Sequence, residues 1–133
     1  MRTRLIVLLH LLMAGFVAAA GANAASSLPV QSVASAGVTV KATPRALPGG
    51  AWEFEIVFDT HTQELKDDPM KSASLIAGGK TISPAGWQGD PPGGHHRKGV
   101  LKFGAVEPRP QEIELRIARP GESKPRSFLW KLK

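Results

Sequence analysis

Residues 52–58 read Trp-Glu-Phe-Glu-Ile-Val-Phe, and they form the clearest strand pattern in the chain. Large apolar side chains at every second position share one face, namely Trp52, Phe54, Ile56 and Phe58. Because successive side chains of a strand point to opposite faces, the alternation predicts a strand with one face in a core and the other mostly in water.

Six further segments on both sides of this strand have strand character and are separated by Pro and Gly turns. They are 38–43, 72–77, 80–83, 99–103, 112–118 and 126–132. Gly78-Gly79 suits a two-residue hairpin turn between the second and third of these. In the last, Phe128, Trp130 and Leu132 are expected in the core, with Arg126 and Lys131 on the outer face. Without any helical periodicity, the pattern predicts an all-β, antiparallel immunoglobulin-like β-sandwich of about seven strands.

The N-terminus has the pattern of an export signal. Arg2 and Arg4 precede an apolar stretch at 5–20, and Ala22-Asn23-Ala24 is an A-x-A cleavage pattern. We therefore predict a cleaved secretory signal peptide at 1–24, a flexible lead-in at 25–37 and the β-sandwich domain at 38–133. The expected location is periplasmic or secreted, with no stable membrane insertion after cleavage, because the apolar stretch is short for a span and no second one follows.

The absence of Cys and the modest net charge limit the modifications and partners that the chain can have. The chain has no Cys, which excludes disulfides and a lipid-modified cysteine. Its 17 Lys and Arg stand against 11 Asp and Glu, and removing Arg2 and Arg4 leaves 15 against 11, a net charge of +4. This excess is dispersed and lacks the basic stripe with interleaved aromatics that nucleic-acid binding requires, so no nucleic-acid partner is predicted.

The segment with the most varied chemistry is 87–103, which reads W-Q-G-D-P-P-G-G-H-H-R-K-G-V-L-K-F. Pro91-Pro92 stiffens it, and Gly93-Gly94 allows a sharp bend just before His95 and His96. If the following strand extends back without interruption, Arg97 shares a face with Gly99, Leu101 and Phe103. The two adjacent histidines then point to opposite faces, so a bend at Gly94 is needed for both to bind one ion.

A second source of metal ligands follows the 52–58 strand. Asp59 and His61 lie at i and i+2 and are expected on one side of the chain. Imidazole and carboxylate groups suit copper and zinc. A site is predicted from His61, His95, His96 and Asp59, with Asp90 as another carboxylate, provided that the two loops lie at the same end of the sandwich. Solvated surface histidines are the alternative, and a calcium site using Asp67 and Asp68 is a weaker one.

Three other residues of the 87–103 segment favour the recognition of a binding partner. Trp87, Asp90 and Arg97 are predicted to form a binding surface, although Trp87 also suits core packing and Arg97 also suits a pair with Asp90. The chain has no G-x-S-x-G, H-E-x-x-H or P-loop motif and no cysteine nucleophile, so we do not expect an enzyme.

The sequence resembles a group of small exported bacterial proteins with an immunoglobulin-like or cupredoxin-like sandwich. These carry W-x-G-D-P-P-G-G-H-H-R-x-G-V-L-x-F, here Trp87 to Phe103, and an upstream D-T-H, here Asp59-Thr60-His61. The resemblance covers roughly the whole mature domain and implies that the two motifs belong to one functional surface. A blue-copper site needs a thiolate, which this chain lacks.

Together these observations predict an exported, non-enzymatic protein that binds copper or zinc. The alternative is an envelope protein-interaction module without a metal, in which the same loop contacts an unknown envelope protein.

Overall fold

The computed structural model describes residues 28–132, which form two packed antiparallel sheets. The first sheet contains β1 (Gln31–Ser35), β2 (Val38–Ala46), β3 (Trp52–Thr60), β6 (Gly86–Gly89) and β7 (His96–Phe103), in the order β1-β2-β3-β7-β6. The second contains β4 (Ala73–Ala77), β5 (Lys80–Ile82), β8 (Glu112–Ile117) and β9 (Arg126–Lys131), in the order β5-β4-β8-β9. The predicted all-β antiparallel sandwich is confirmed, with nine strands in the described residues rather than about seven.

The core lies between the sheets, and β3 shows why the sequence folds this way. Its residues alternate between buried and half-buried, as the pattern at 52–58 predicts. The Phe54 ring lies 5.6 Å from that of Phe103 on β7 and 5.7 Å from that of Trp130 on the opposite sheet, measured between ring centroids. Burying one such side chain stabilises the fold by about 1.5 to 3 kcal/mol, so these contacts fix how the sheets face each other.

Helical structure in the described residues is short. A single turn, α1 (Pro69–Ser72), follows the polar connection after β3, and a 3-10 turn occupies Pro48–Gly50. The Asp68 carboxylate accepts a hydrogen bond from Met70 N at 3.1 Å and so caps α1. No helix within residues 28–132 is long and apolar enough to cross a membrane.

The predicted boundaries at the N-terminus need one correction. The predicted signal peptide at 1–24 lies outside the described residues, as do residues 25–27 of the predicted lead-in. The rest of the lead-in is not a flexible segment, because Gln31 to Ser35 form β1 and pair with β2 at five positions. Its small and polar side chains produce no apolar alternation, but its backbone completes the edge of the sheet. The folded domain therefore begins before Val38.

Side chains, rather than backbone pairs, connect β1 to β9 on the other sheet. The Gln31 amide accepts from Leu129 N at 3.0 Å and donates to Leu129 O. Trp130 Nε1 donates to Pro29 O at 2.8 Å. Arg126 donates to the carbonyl oxygens of Val33, Ser35 and Val38.

The prediction that Arg126 faces outward is therefore wrong. Arg126 is buried, because it stands an even number of positions from Phe128 and Trp130 and so shares their inner face. Its charge is accommodated there by the carbonyl groups at the end of β1 and the start of β2.

Candidate functional site at the end of β3 and β7

The two loops that were expected to form a site lie at the same end of the sandwich. Thr60 N donates to His95 O at 2.9 Å, directly after the last paired residues of β3 and β7. Farther out, Leu65 N donates to Gly94 O at 2.9 Å, and Gly93 N donates to Leu65 O at 2.7 Å. The chain after β3 and the chain before β7 are thus joined by backbone hydrogen bonds, which is the arrangement that a shared site requires.

Asp59 and His96 are in direct contact. They stand opposite each other in the β3–β7 register, on the outer face of the sheet, and His96 Nδ1 is hydrogen-bonded to Asp59 Oδ1. Both side chains are partly exposed to solvent. A predicted histidine ligand and a predicted carboxylate ligand, 37 residues apart in the sequence, therefore meet.

His61 and His95 flank this pair along the two strands. His61 follows β3 and His95 precedes β7, and both side chains are exposed. Within residues 28–132 no three His, Cys, Asp or Glu side chains are already gathered so that they could hold a metal ion. We refer to Asp59, His61, His95 and His96 as the strand-end cluster: the fold brings two of its members into contact and leaves the other two exposed beside them.

Asp90 shapes the loop. Its carboxylate accepts from Lys98 N at 2.9 Å, and its own backbone N donates to Lys98 O at 3.0 Å. Its carbonyl oxygen accepts from Trp87 Nε1 at 3.3 Å. Asp90 therefore closes the loop that contains Pro91, Pro92, the two glycines and the histidines.

Arg97, which was predicted to form a binding surface with Trp87 and Asp90, is buried. Its side chain is 1% exposed, and its guanidinium lies 5.8 Å from the Phe58 ring centroid and 5.9 Å from that of Trp87. Nη1 donates to Asp67 O at 2.7 Å and Nη2 to Asp90 O at 3.1 Å. Arg97 therefore joins the loop after β3 to the loop before β7 from the inside, immediately next to His96.

Trp87 lies half-buried at the edge of the first sheet and packs over two glycines. A Cβ atom at Gly99 would come within 2.5 Å of the Trp87 ring, and one at Gly89 within 2.9 Å of it. The indole therefore occupies the space that side chains on β6 and β7 would fill. Beside it is an open recess of about 310 Å³, which we call the Trp87 recess. It is lined by Asp67, Asp68, Pro69, Trp87, Gly89, Asp90, Pro91, Pro92 and Arg97.

A row of buried and half-buried charges continues from this site to the end of β1 and the start of β2. Both Asp67 carboxylate oxygens accept from Arg119, at 2.9 and 3.0 Å, so Asp67 is not free to bind calcium. Arg119 also donates to Glu122 at 3.1 Å, and Glu122 accepts two bonds from Arg126, each at 2.9 Å.

The hydrogen bonds from Arg126 lower the pKa of Glu122 against the opposing effect of burial. The sequence reasoning missed this row of charges, although the even spacing of Arg126 from Phe128 and Trp130 was a signal for one of its members.

The chain matches no protein-family model, no curated protein and no solved structure with which it was compared.

Proposed function

We propose that this protein is an exported, non-enzymatic module that binds a copper or zinc ion at the strand-end cluster. The ligands are His61, His95 and His96, with Asp59 as the carboxylate. The observation that supports this most directly is the contact between His96 and Asp59 across paired strands. A ligand pair fixed by a sheet lowers the entropy that must be lost when an ion binds.

The donor atoms favour Cu²⁺ or Zn²⁺ over other common ions. Three of the four histidines of the chain belong to the cluster, and imidazole nitrogen with carboxylate oxygen suits both ions. The chain has no Cys to supply a thiolate, which argues against a blue-copper centre. Among divalent ions at such a site, copper binds more tightly than zinc.

Binding requires at least one further histidine to turn toward the Asp59–His96 pair. Gly93 and Gly94 have φ values of 121° and 70°, in the region that favours glycine, and they directly precede His95. His61 is exposed just beyond β3. Both side chains are exposed and can rotate toward the pair, while the backbone at Gly94 and His95 keeps its hydrogen bonds to Leu65 and Thr60. On binding we expect one or both imidazoles to close onto the ion.

Calorimetric titration with Cu²⁺ and with Zn²⁺ near neutral pH tests the proposal. We expect one ion per chain and a loss of affinity of more than about 100-fold in His96→Ala, since altering even an outer-shell partner costs roughly 10- to 100-fold. His61→Ala and His95→Ala should each weaken binding. Glu112→Gln, an exposed change on the other sheet, is the matched control. A wild-type protein that gives no saturable heat would overturn the proposal.

Export is tested separately. Replacing the apolar residues of 5–20 with polar ones should leave the protein in the cytoplasm, because the targeting segment would lose its hydrophobic region. Recovery of this variant outside the cytoplasm would contradict export by this segment.

The second candidate function is an envelope protein-interaction module that works without a metal. The half-buried Trp87 beside a proline-lined recess favours it, since aromatic side chains with one exposed side are common in recognition surfaces. The two candidates use different residues: the first depends on His96 and Asp59, and the second on Trp87 and the proline-containing loop beside it.

A further inference from the structure

The hydrogen bond between Asp59 and His96 determines which nitrogen of the imidazole is free. It joins His96 Nδ1 to Asp59 Oδ1. An ionised carboxylate can only accept hydrogen bonds, so Nδ1 carries the hydrogen and donates it. In a neutral imidazole the lone pair that remains is then on Nε2. Nε2 is therefore the atom of His96 that can bind an ion.

The sheet holds both partners of this bond in place. Asp59 on β3 and His96 on β7 are directly opposite each other, and Thr60 N donates to His95 O at 2.9 Å just beyond them. The His96 side chain is nevertheless 63% exposed, and that of Asp59 is 42% exposed. The backbone thus sets the position of the imidazole, while its ring stays accessible to an ion from solvent.

A second carboxylate on the same face of β3 pairs separately with the next outward side chain of β7. Lys98 Nζ lies 3.5 Å from Glu55 Oε1, and the Glu55 side chain is 43% exposed. Glu55 and Asp59 are four residues apart, so both point outward from the sheet. Glu55 is therefore a carboxylate of matched exposure that contacts a lysine instead of a histidine.

The arrangement at Asp59 is the one that carboxylates adopt behind a metal-binding histidine. A histidine that binds a metal through one nitrogen almost always donates its other ring N–H, often to a carboxylate, which fixes the tautomer and the orientation of the ring. The same bond makes the binding nitrogen more basic. Because Nδ1 and Nε2 point in different directions from the ring, an ion on Nε2 lies away from the Asp59 oxygen that accepts from Nδ1.

We infer that Asp59 is a positioning residue, which holds His96 so that Nε2 binds the ion, and that Asp59 does not itself touch the ion. The donor atoms are then imidazole nitrogens of His61, His95 and His96. The inference rests on the proposed copper or zinc site, and it adds the binding atom of His96 and the way in which Asp59 contributes.

NMR of the protein expressed from the full chain, labelled with nitrogen-15 and saturated with Zn²⁺ near neutral pH, tests the inference. Zinc is the probe because it is diamagnetic. Long-range proton–nitrogen correlations of the histidine rings distinguish a nitrogen that carries hydrogen from one that binds zinc. For His96 we expect hydrogen on Nδ1 and zinc on Nε2. Zinc on Nδ1 would overturn the inference, because the bond to Asp59 would then be broken.

Calorimetric titration of Asp59→Ala with Zn²⁺ measures the contribution of the carboxylate. We expect one ion per chain and an affinity roughly 10- to 100-fold below that of wild type, as for other partners behind a metal ligand. In this variant the NMR spectrum should show zinc divided between the two nitrogens of His96, since the tautomer is no longer fixed. A loss of packing alone would not produce this redistribution.

Glu55→Ala is the matched control and should bind Zn²⁺ as wild type does, and thermal unfolding checks that both variants are folded. Equal losses of affinity in Glu55→Ala and Asp59→Ala would overturn the inference, because only net charge would then matter. Unchanged affinity in Asp59→Ala would also overturn it, while the metal site itself would stand. Absence of saturable Zn²⁺ and Cu²⁺ binding in wild type would overturn the proposed function and the inference together.

Discussion

Asp67 and Arg119 form a bidentate ion pair inside the domain, with Nε to Oδ2 at 2.9 Å and Nη2 to Oδ1 at 3.0 Å. Their side chains are 0% and 5% exposed. The pair joins the loop after β3 to the chain just after β8, and the carbonyl of the same Asp67 accepts from Arg97. The loop beside the strand-end cluster is therefore held in place by charged groups as well as by the apolar core.

Replacing Arg119 with Ala should destabilise the fold by about 3 to 5 kcal/mol, because the Asp67 carboxylate would remain buried without its partner. Chemical denaturation monitored by tryptophan fluorescence measures the loss. The matched control is Arg116→Ala, which removes an exposed pair with Glu114 and should cost less than about 1 kcal/mol. Equal losses in the two variants would show that the buried pair contributes no more than a surface pair.

The stability of the domain should fall in acid partly because of Glu122. Hydrogen bonds from Arg126 hold the folded-state pKa of Glu122 below its usual value of about 4.5, so the unfolded chain takes up the proton first as the pH falls. Its contribution is fully present above that usual value and is lost as the pH falls through the lower folded-state pKa. Glu122→Gln removes this contribution.

We therefore expect Glu122→Gln to be less stable than wild type by about 2 to 3 kcal/mol near neutral pH. The difference should shrink as the pH falls below about 4.5 and through the lowered folded-state pKa of Glu122. Denaturation curves of both proteins across this range provide the measurement. The contributions of the other carboxylates to the pH dependence are the same in both proteins and cancel in the difference. A difference that stays constant with pH would contradict the assigned role of Glu122.

The strands that could be predicted are those whose side chains bury apolar area on one face. In β3, β8 and β9 the alternation is continuous, and the structure has them close to the predicted positions. The two strands that were not predicted are β1 and β6. β1 contains mostly small and polar residues, and two of the four residues of β6 are glycines, so neither has an alternating apolar pattern.

At the site, the sequence indicated the candidate ligands, on the condition that their two loops lie at the same end of the sandwich, but not the contacts of the charged side chains. Asp59 and His96 come together because β3 and β7 pair in register. The burial of Arg97 follows from its even spacing to Leu101, but the acceptors that make this burial possible lie on loops 30 and 7 residues away. No local pattern predicts such contacts, since they depend on how distant loops close over the core.

Gln31 should protect the exposed edge of β9. Its side-chain amide makes both hydrogen bonds that a neighbouring strand would make with Leu129. In Gln31→Ala we expect a loss of about 1 kcal/mol and faster hydrogen exchange at the Leu129 amide, measured by NMR. Ser32→Ala, an exposed change on the same strand, is the control. Equal exchange at Leu129 in the two variants would show that the Gln31 contact does not close this edge.

The absence of a side chain at Gly99 leaves room for the Trp87 ring, so a larger residue there should displace the indole that lies beside the recess. A Cβ atom at Gly99 would lie 2.5 Å from two ring carbons of Trp87, much closer than a normal contact. Gly99→Ala should therefore push the indole outward, cost about 1 to 3 kcal/mol and shift the Trp87 emission toward longer wavelength. Gly104→Ala is the matched control, because no heavy atom lies within 4 Å of the Cβ position there, and it should change stability by less than about 0.5 kcal/mol.

A double-mutant cycle separates this contact from a general effect of the extra methyl group. In a Trp87→Ala background the clash is absent, so Gly99→Ala should cost less than it does in the wild type. The Gly89 Cα atom remains 2.8 Å from the new Cβ, so part of the cost should persist. If the cost of Gly99→Ala is the same in both backgrounds, the indole does not determine the requirement for glycine at this position, and the backbone of β6 does.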